Sequence, residues 1–167
     1  MMRLMYSIAD LREIAEKKAA EHGLDPAVVC AVIEQESGWN PWLERYEPLF
    51  FERYLENPAM YNEVRGWLKS ASFHASFATE IRNRAYSRGL MQTMGATARV
   101  QGFAGPLGEL HEPETGIEVG CRVLKGCLGR AKGDIAKALL GYNGGGNKKY
   151  PDEVLARMEN YRNGAKA

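Results

Sequence analysis

An apolar run that ends in carboxylates is the first place to look for chemistry. In Val28-Val29-Cys30-Ala31-Val32-Ile33-Glu34-Gln35-Glu36-Ser37-Gly38, Glu36 follows Val29, Val32 and Ile33 by seven, four and three residues. Helical spacing puts Glu36 on their apolar face and turns Glu34 elsewhere, as a surface carboxylate. A carboxyl group on such a face is either paired or keeps its proton, because desolvation disfavours the charged form. A proton kept near neutral pH is what a general acid needs. Two later stretches could meet such a group. Ser87-Arg88-Gly89-Leu90-Met91-Gln92-Thr93-Met94-Gly95 sets glycines around a short apolar core beside the amide of Gln92, which suits backbone that approaches another group closely. A plain turn between helices would read the same way. Tyr142-Asn143 runs into Gly144-Gly145-Gly146. No strand precedes these glycines and the Walker spacing is absent, so they predict a helix end and a tight reversal rather than a phosphate loop.

The elements that must position these residues are helices. Ser7 caps an amphipathic helix with Ile8, Leu11, Ile14, Ala15 and Ala19 on one face, stopped by Gly23. Asp25-Pro26 opens the helix that carries Glu36, and Gly38 and Asn40-Pro41 force its exit. From Trp39 to Tyr86 the chain changes character, with eleven of its sixteen aromatic residues in that stretch. Its spacing predicts helices over 44–56 and 60–84, broken at Asn57-Pro58. Rings packed into the main core are the plainer expectation, rings lining a carbohydrate groove the sharper one. Ala96–Phe103 predicts a short helix. Glu112-Pro113 opens a helix with Ile117, Cys121, Leu124 and Leu128 on its apolar side, and Gly116 and Gly120 would let another helix come close. Asp134 caps a helix over 135–140, and 150–161 makes the last one, with Val154, Leu155 and Met158 inside. No alternating strand pattern is evident. The expected fold is mainly α, a single domain over 1–167 with an aromatic-rich helical insert at about 43–86.

Composition narrows the partners. A formal net charge of +1 gives no global reason to bind nucleic acid. Cys30, Cys121 and Cys127 have no metal-ligand spacing and predict buried apolar residues; His22, His74 and His111 are too scattered for zinc. No metal or cofactor is expected. Arg82, Arg84 and Arg88 predict a solvated basic face. The stretch 1–10 has no signal-peptide core and no segment reaches membrane-spanning length, so the expectation is a monomer made in the cytoplasm.

Glu36-Ser37-Gly38, Gly89-Leu90-Met91-Gln92 and Tyr142-Asn143-Gly144, in this order, resemble the signature of the lytic transglycosylases, helical enzymes with a lysozyme-like fold that cleave peptidoglycan between N-acetylmuramic acid and N-acetylglucosamine. The resemblance covers about 24–161, except the insert. It implies glycan strands as substrate and Glu36 as the single catalytic acid and base. It implies that Met91 and Gln92 contact the sugar and its N-acetyl group, within a substrate-binding set of Ser37, Ser87, Gly89, Leu90, Met91, Gln92, Tyr142, Asn143 and, on a looser alignment, Tyr150. A lone carboxyl group would protonate the glycosidic oxygen, then accept the proton of the muramyl C6 hydroxyl as it attacks C1, leaving a 1,6-anhydro end. Hydrolysis, as in the related goose-type lysozymes, would ordinarily need a second carboxylate. Glu47, eleven residues beyond Glu36, is the candidate, with pairing to an arginine that anchors the insert as the plainer expectation. A non-catalytic peptidoglycan-binding module and an interaction protein using the aromatic insert are the remaining alternatives. The combination of a muralytic domain with no evident leader looks like a phage endolysin, released to the wall through a membrane lesion.

Overall fold

The structure, a computed structural model, describes residues 6–164. The single-domain span and the reading of the amino-terminal stretch therefore reach in part outside the described residues. Helix α1 (Ile8–His22) begins at Ser7, whose hydroxyl accepts from Asp10 N while the Asp10 carboxylate accepts from Ser7 N, and it ends on left-handed Gly23. Helix α2 (Pro26–Ser37) is capped by Asp25 through Ala27 N. Its six residues Val28 to Ile33 are all buried, so it is the axis of the main core, and each full-sized aliphatic side chain there contributes about 1.5–3 kcal/mol. Helix α2 packs against α1 and α9 (Tyr150–Gly164), while α7 (Pro113–Arg130) packs against α1 and α8 (Ile135–Tyr142). The fold is mainly helical, as expected. All three cysteines are buried and free.

Between α2 and α7 the expectations need correcting. Three short strands form an antiparallel sheet in the order β1-β2-β3: β1 (Glu44–Tyr46), β2 (Tyr86–Arg88) and β3 (Thr93–Met94). Strands of two or three residues carry no readable alternation, and β1 finds its partner about forty residues away. Thus 44–46 is strand rather than helix. The rest of 44–56 is α3 (Pro48–Phe50) continuing into a π-helical turn, Phe51–Leu55. The region 60–84 is two helices, α4 (Pro58–Ser70) and α5 (Phe77–Asn83), with non-helical chain at 71–76. Helix α6 (Gly95–Val100) stops short of Phe103, and a 3-10 turn, Leu107–His111, leads to α7.

The insert's aromatics do not enter the main core. They build a second one, in which Tyr46, Phe50, Phe51, Tyr61 and Phe77 surround Leu55, Val64, Ile81 and Ala85. A buried ion network next to it corrects the basic-face expectation for Arg84 and Arg88, whereas Arg82 is exposed as expected. Arg84 and Arg88 are 3% and 6% exposed. Arg84 Nε donates to Glu80 Oε1 at 3.0 Å, Arg99 makes two bonds to the Glu80 carboxylate at 2.8 and 2.9 Å, and Arg88 pairs with Glu44. Burial would raise the Glu80 carboxyl, but the hydrogen bonds and charges of Arg99 and Arg84 prevail and hold it below its ordinary value.

Candidate active site

Glu36 sits at the carboxyl end of α2, half-buried, in a cleft of about 170 Å³. Two successive left-handed residues, Gly38 (φ 56°) and Trp39 (φ 65°), turn the chain away immediately after it. The Trp39 ring is then tucked inside, its Nε1 donating to the Tyr161 hydroxyl at 3.0 Å. Desolvation raises the Glu36 carboxyl above its ordinary value; a hydrogen bond from Tyr150 and the nearby charge of Arg45 offset part of that. The group is thus biased toward holding a proton while one oxygen remains tied. That tie is 2.6 Å long, from the Tyr150 hydroxyl to Glu36 Oε1, and Tyr150 is 2% exposed.

Helix α9 supplies more than Tyr150. At helical spacing from it, Glu153 accepts from Gln35 Nε2 at 3.0 Å, Arg157 donates to Gln35 Oε1 at 2.8 Å, and the Tyr161 hydroxyl donates to Glu34 at 2.5 Å. This polar seam fixes the last turn of α2 and with it the rotation of Glu36. It also corrects the reading of Glu34, which is half-buried and bonded to Tyr161 rather than free on the surface.

The Gly89–Gln92 loop forms the opposite side. Gly89 is left-handed (φ 75°), and a Cβ there would run into the Leu110 carbonyl oxygen, so only glycine passes. Gln92 is also left-handed (φ 46°), an uncommon state for a side-chain-bearing residue, held here by three bonds. Its Nε2 donates to the carbonyls of Leu43 at 2.9 Å and Gly89 at 2.8 Å, and its Oε1 accepts from the Ser87 hydroxyl at 3.1 Å. Gln92 therefore splints the start of β1 to the loop while lining the cleft. The close approach foreseen at Gly120 is made by Met91, whose side chain lies where a Cβ would be, and at Gly116 by the Leu110 carbonyl of the 3-10 turn. Tyr142 donates to the Met91 carbonyl at 2.7 Å, closing the floor between α8 and the loop. Burial raises the Tyr142 hydroxyl well above its ordinary value, so it stays a donor.

Of the expected site residues, Glu36, Ser87, Gln92, Tyr142 and Asn143 line the cleft together. Tyr150 reaches it through Glu36. Leu90 and Met91 are 1% and 0% exposed and belong to the core, Gly89 is buried against Leu110, and the Ser37 hydroxyl donates back to the Ile33 carbonyl at 3.0 Å. The cleft also takes residues that sequence reasoning did not select: Arg45, Thr93, Met94, Thr97 and Val123. Glu47 lines it too, and it is paired with Arg45, two residues before it in the same insert. A larger cavity, about 400 Å³, lies elsewhere, lined by Arg12, Glu16, Asp25 and Tyr161 among others. Its arginines already have partners, Arg12 with Glu16 and Arg162 with Asp25.

Among the described residues no group of His, Cys, Asp or Glu could hold a metal ion, and no helix is long and apolar enough to cross a membrane. Compared with known families, residues 66–162 match the model described as Transglycosylase SLT domain. That span contains the Gly89–Gln92 loop and Tyr142-Asn143 but begins after α2, so Glu36 is tied to the matched region through Tyr150. No solved structure matches the chain.

Proposed function

The chain belongs to the transglycosylase SLT domain family, which makes it a peptidoglycan-cleaving enzyme, and from that premise we propose a lytic transglycosylase in which Glu36 is the one acid and base. The observation that carries this reading is the pairing of Tyr150 with Glu36 at 2.6 Å in a desolvated cleft. Burial biases Glu36 toward keeping its proton until a glycosidic oxygen arrives. Once that proton is given, the carboxylate accepts the muramyl C6 hydroxyl proton while the hydroxyl oxygen bonds to C1, and a 1,6-anhydro end results. No water is consumed. Gln92, Tyr142 and Asn143 shape the sugar-binding wall in this reading, with Ser87 fixing the Gln92 amide.

A second reading has one observation in its favour: Glu47, a second carboxylate, lines the same cleft. Its engagement by Arg45 counts against a free base for water. The site of action in either case is the cell wall, and release from the cytoplasm as an endolysin is one route to it.

Digestion of purified peptidoglycan followed by mass spectrometry is the test. Anhydromuramyl ends are expected; reducing ends, heavier by one water, would make the enzyme a hydrolase. Glu36→Gln is expected to lower the rate by about 10²–10⁴-fold, the usual worth of general acid–base catalysis. Unchanged lysis by that variant would overturn the assignment of Glu36.

A further inference from the structure

Strand β1 has two chemically different faces. Its register against β2 pairs Glu44 with Arg88, Arg45 with Ser87 and Tyr46 with Tyr86. Glu44 and Tyr46 point away from the cleft: the Glu44 carboxylate accepts from Arg88 Nε at 3.0 Å, and the Tyr46 and Tyr86 rings lie 5.1 Å apart. The alternation of a strand sends Arg45 and the next residue but one, Glu47, to the other side, where Ser87 also faces the cleft. There Arg45 and Glu47 form an ion pair across from Glu36. Glu47 is further fixed because its backbone N–H donates to the Ala85 carbonyl at 2.9 Å.

We infer that this pair positions the proton of Glu36: Arg45 is the cation that stabilises the carboxylate left when Glu36 gives up its proton, and the negative charge of Glu47 offsets part of that cation. Arg45 thereby acts through Glu36 and is a positioning residue. The inference rests on Glu36 being the acid.

The surroundings leave Arg45 as the counter-charge. On the same helix, Glu34 is engaged by Tyr161 and faces Arg157 at 3.6 Å. From α9, Tyr150 donates to Glu36, Glu153 accepts from Gln35, and the Arg157 Nε bonds Gln35. From α8, Tyr142 is committed to the Met91 carbonyl, and β2 and β3 offer the uncharged Ser87 and Thr93. The Arg45 side chain is 74% exposed and an arginine keeps its charge at any working pH, so its cation persists through the cycle. The nearby charge of Arg45 draws the Glu36 carboxyl down, against the larger effect of burial. Exposed ion pairs of this kind add little to stability, so the effect of breaking it belongs in the cleft.

The two halves of the pair should act on Glu36 with opposite sign. A general acid must be protonated in the free enzyme, so the alkaline limb of activity follows Glu36. Arg45→Gln removes the cation, Glu36 keeps its proton to higher pH, and the limb moves up. Glu47→Gln unleashes the cation, Glu36 loses its proton sooner, and the limb moves down. Each shift is expected to be about half a pH unit at low ionic strength. Arg45→Lys keeps the charge and should leave the limb near the parent's. The measurement is the pH profile of kcat/KM on purified peptidoglycan, which follows the free enzyme, with circular dichroism establishing that each variant is folded. Limbs that move apart bear the inference out. Limbs that stay put or move the same way would overturn it, as would a folded Glu47→Gln enzyme without turnover at any pH, because that result belongs to a second catalytic carboxylate. Failure of the Glu36 assignment is read separately, from lysis that survives Glu36→Gln.

Discussion

Glu36 owes its role to a conflict between where it stands and what it carries. Helical periodicity delivers it to an apolar face, burial makes its charge costly, and a single short bond from Tyr150 keeps it from swinging away. That bond favours the carboxylate, so removing it should strengthen proton retention. Tyr150→Phe is therefore expected to move the alkaline limb of activity to higher pH and to cost about 0.5–1.5 kcal/mol in urea unfolding, the net worth of one hydrogen bond. A limb unmoved in the folded variant would mean that Tyr150 serves packing alone. Glu36 was legible because three- and four-residue spacing is a property of one helix. Tyr150 was legible only through the family resemblance, and Arg45 not at all, since nothing local marks a residue that meets Glu36 across a cleft.

The elements divide the labour. Helix α9 locks the end of α2 through Tyr150, Glu153, Arg157 and Tyr161, and the Gly89–Gln92 loop closes the facing side. The loop can do so because its first residue has no side chain. Gly89→Ala places a Cβ against the Leu110 carbonyl at a left-handed φ, and about 1–3 kcal/mol of lost stability with reduced lysis is expected. Gly102→Ala is the control, left-handed too (φ 79°) but with open space around it, and it should cost less. Equal losses in urea unfolding would show that backbone conformation alone matters at Gly89. Helices α1, α2, α7, α8 and α9 could be placed from caps and periodicity because their signals are local. The sheet could not, because β1 is defined by what it pairs with rather than by its own three residues.

Among the described residues the core falls into three clusters, one around α2, one inside the insert and a small one of Ala98, Leu107, Leu110 and Val119, and Glu80 fastens the insert to Arg99 of α6. Burial works against its charge but the two arginines win, so its folded pKa lies below the unfolded one. The resulting stability is present above the unfolded pKa and is lost as pH falls through the folded one. Glu80→Gln takes the carboxylate from buried Arg99 and leaves Arg84 with Glu63 alone, and it is expected to cost about 3–5 kcal/mol at pH 7. Thermal unfolding followed from pH 7 to 3 should show parent and variant converging as the parent's carboxylate is protonated; a constant gap would exclude the ionic origin. Taken by itself, the sequence determined the helical class, the helix caps, the buried cysteines, the family and the placing of Glu36 on an apolar face, since each depends on residues within a few turns of one another or on short motifs. Only the tertiary structure decided that the insert has its own core, that Arg84 and Arg88 are buried in ion pairs, that Met91 lies in the core while Gln92 splints β1, and that Arg45 and Glu47 share the cleft with Glu36. Those facts depend on contacts between segments far apart in the chain, and such contacts leave no period in the sequence to read.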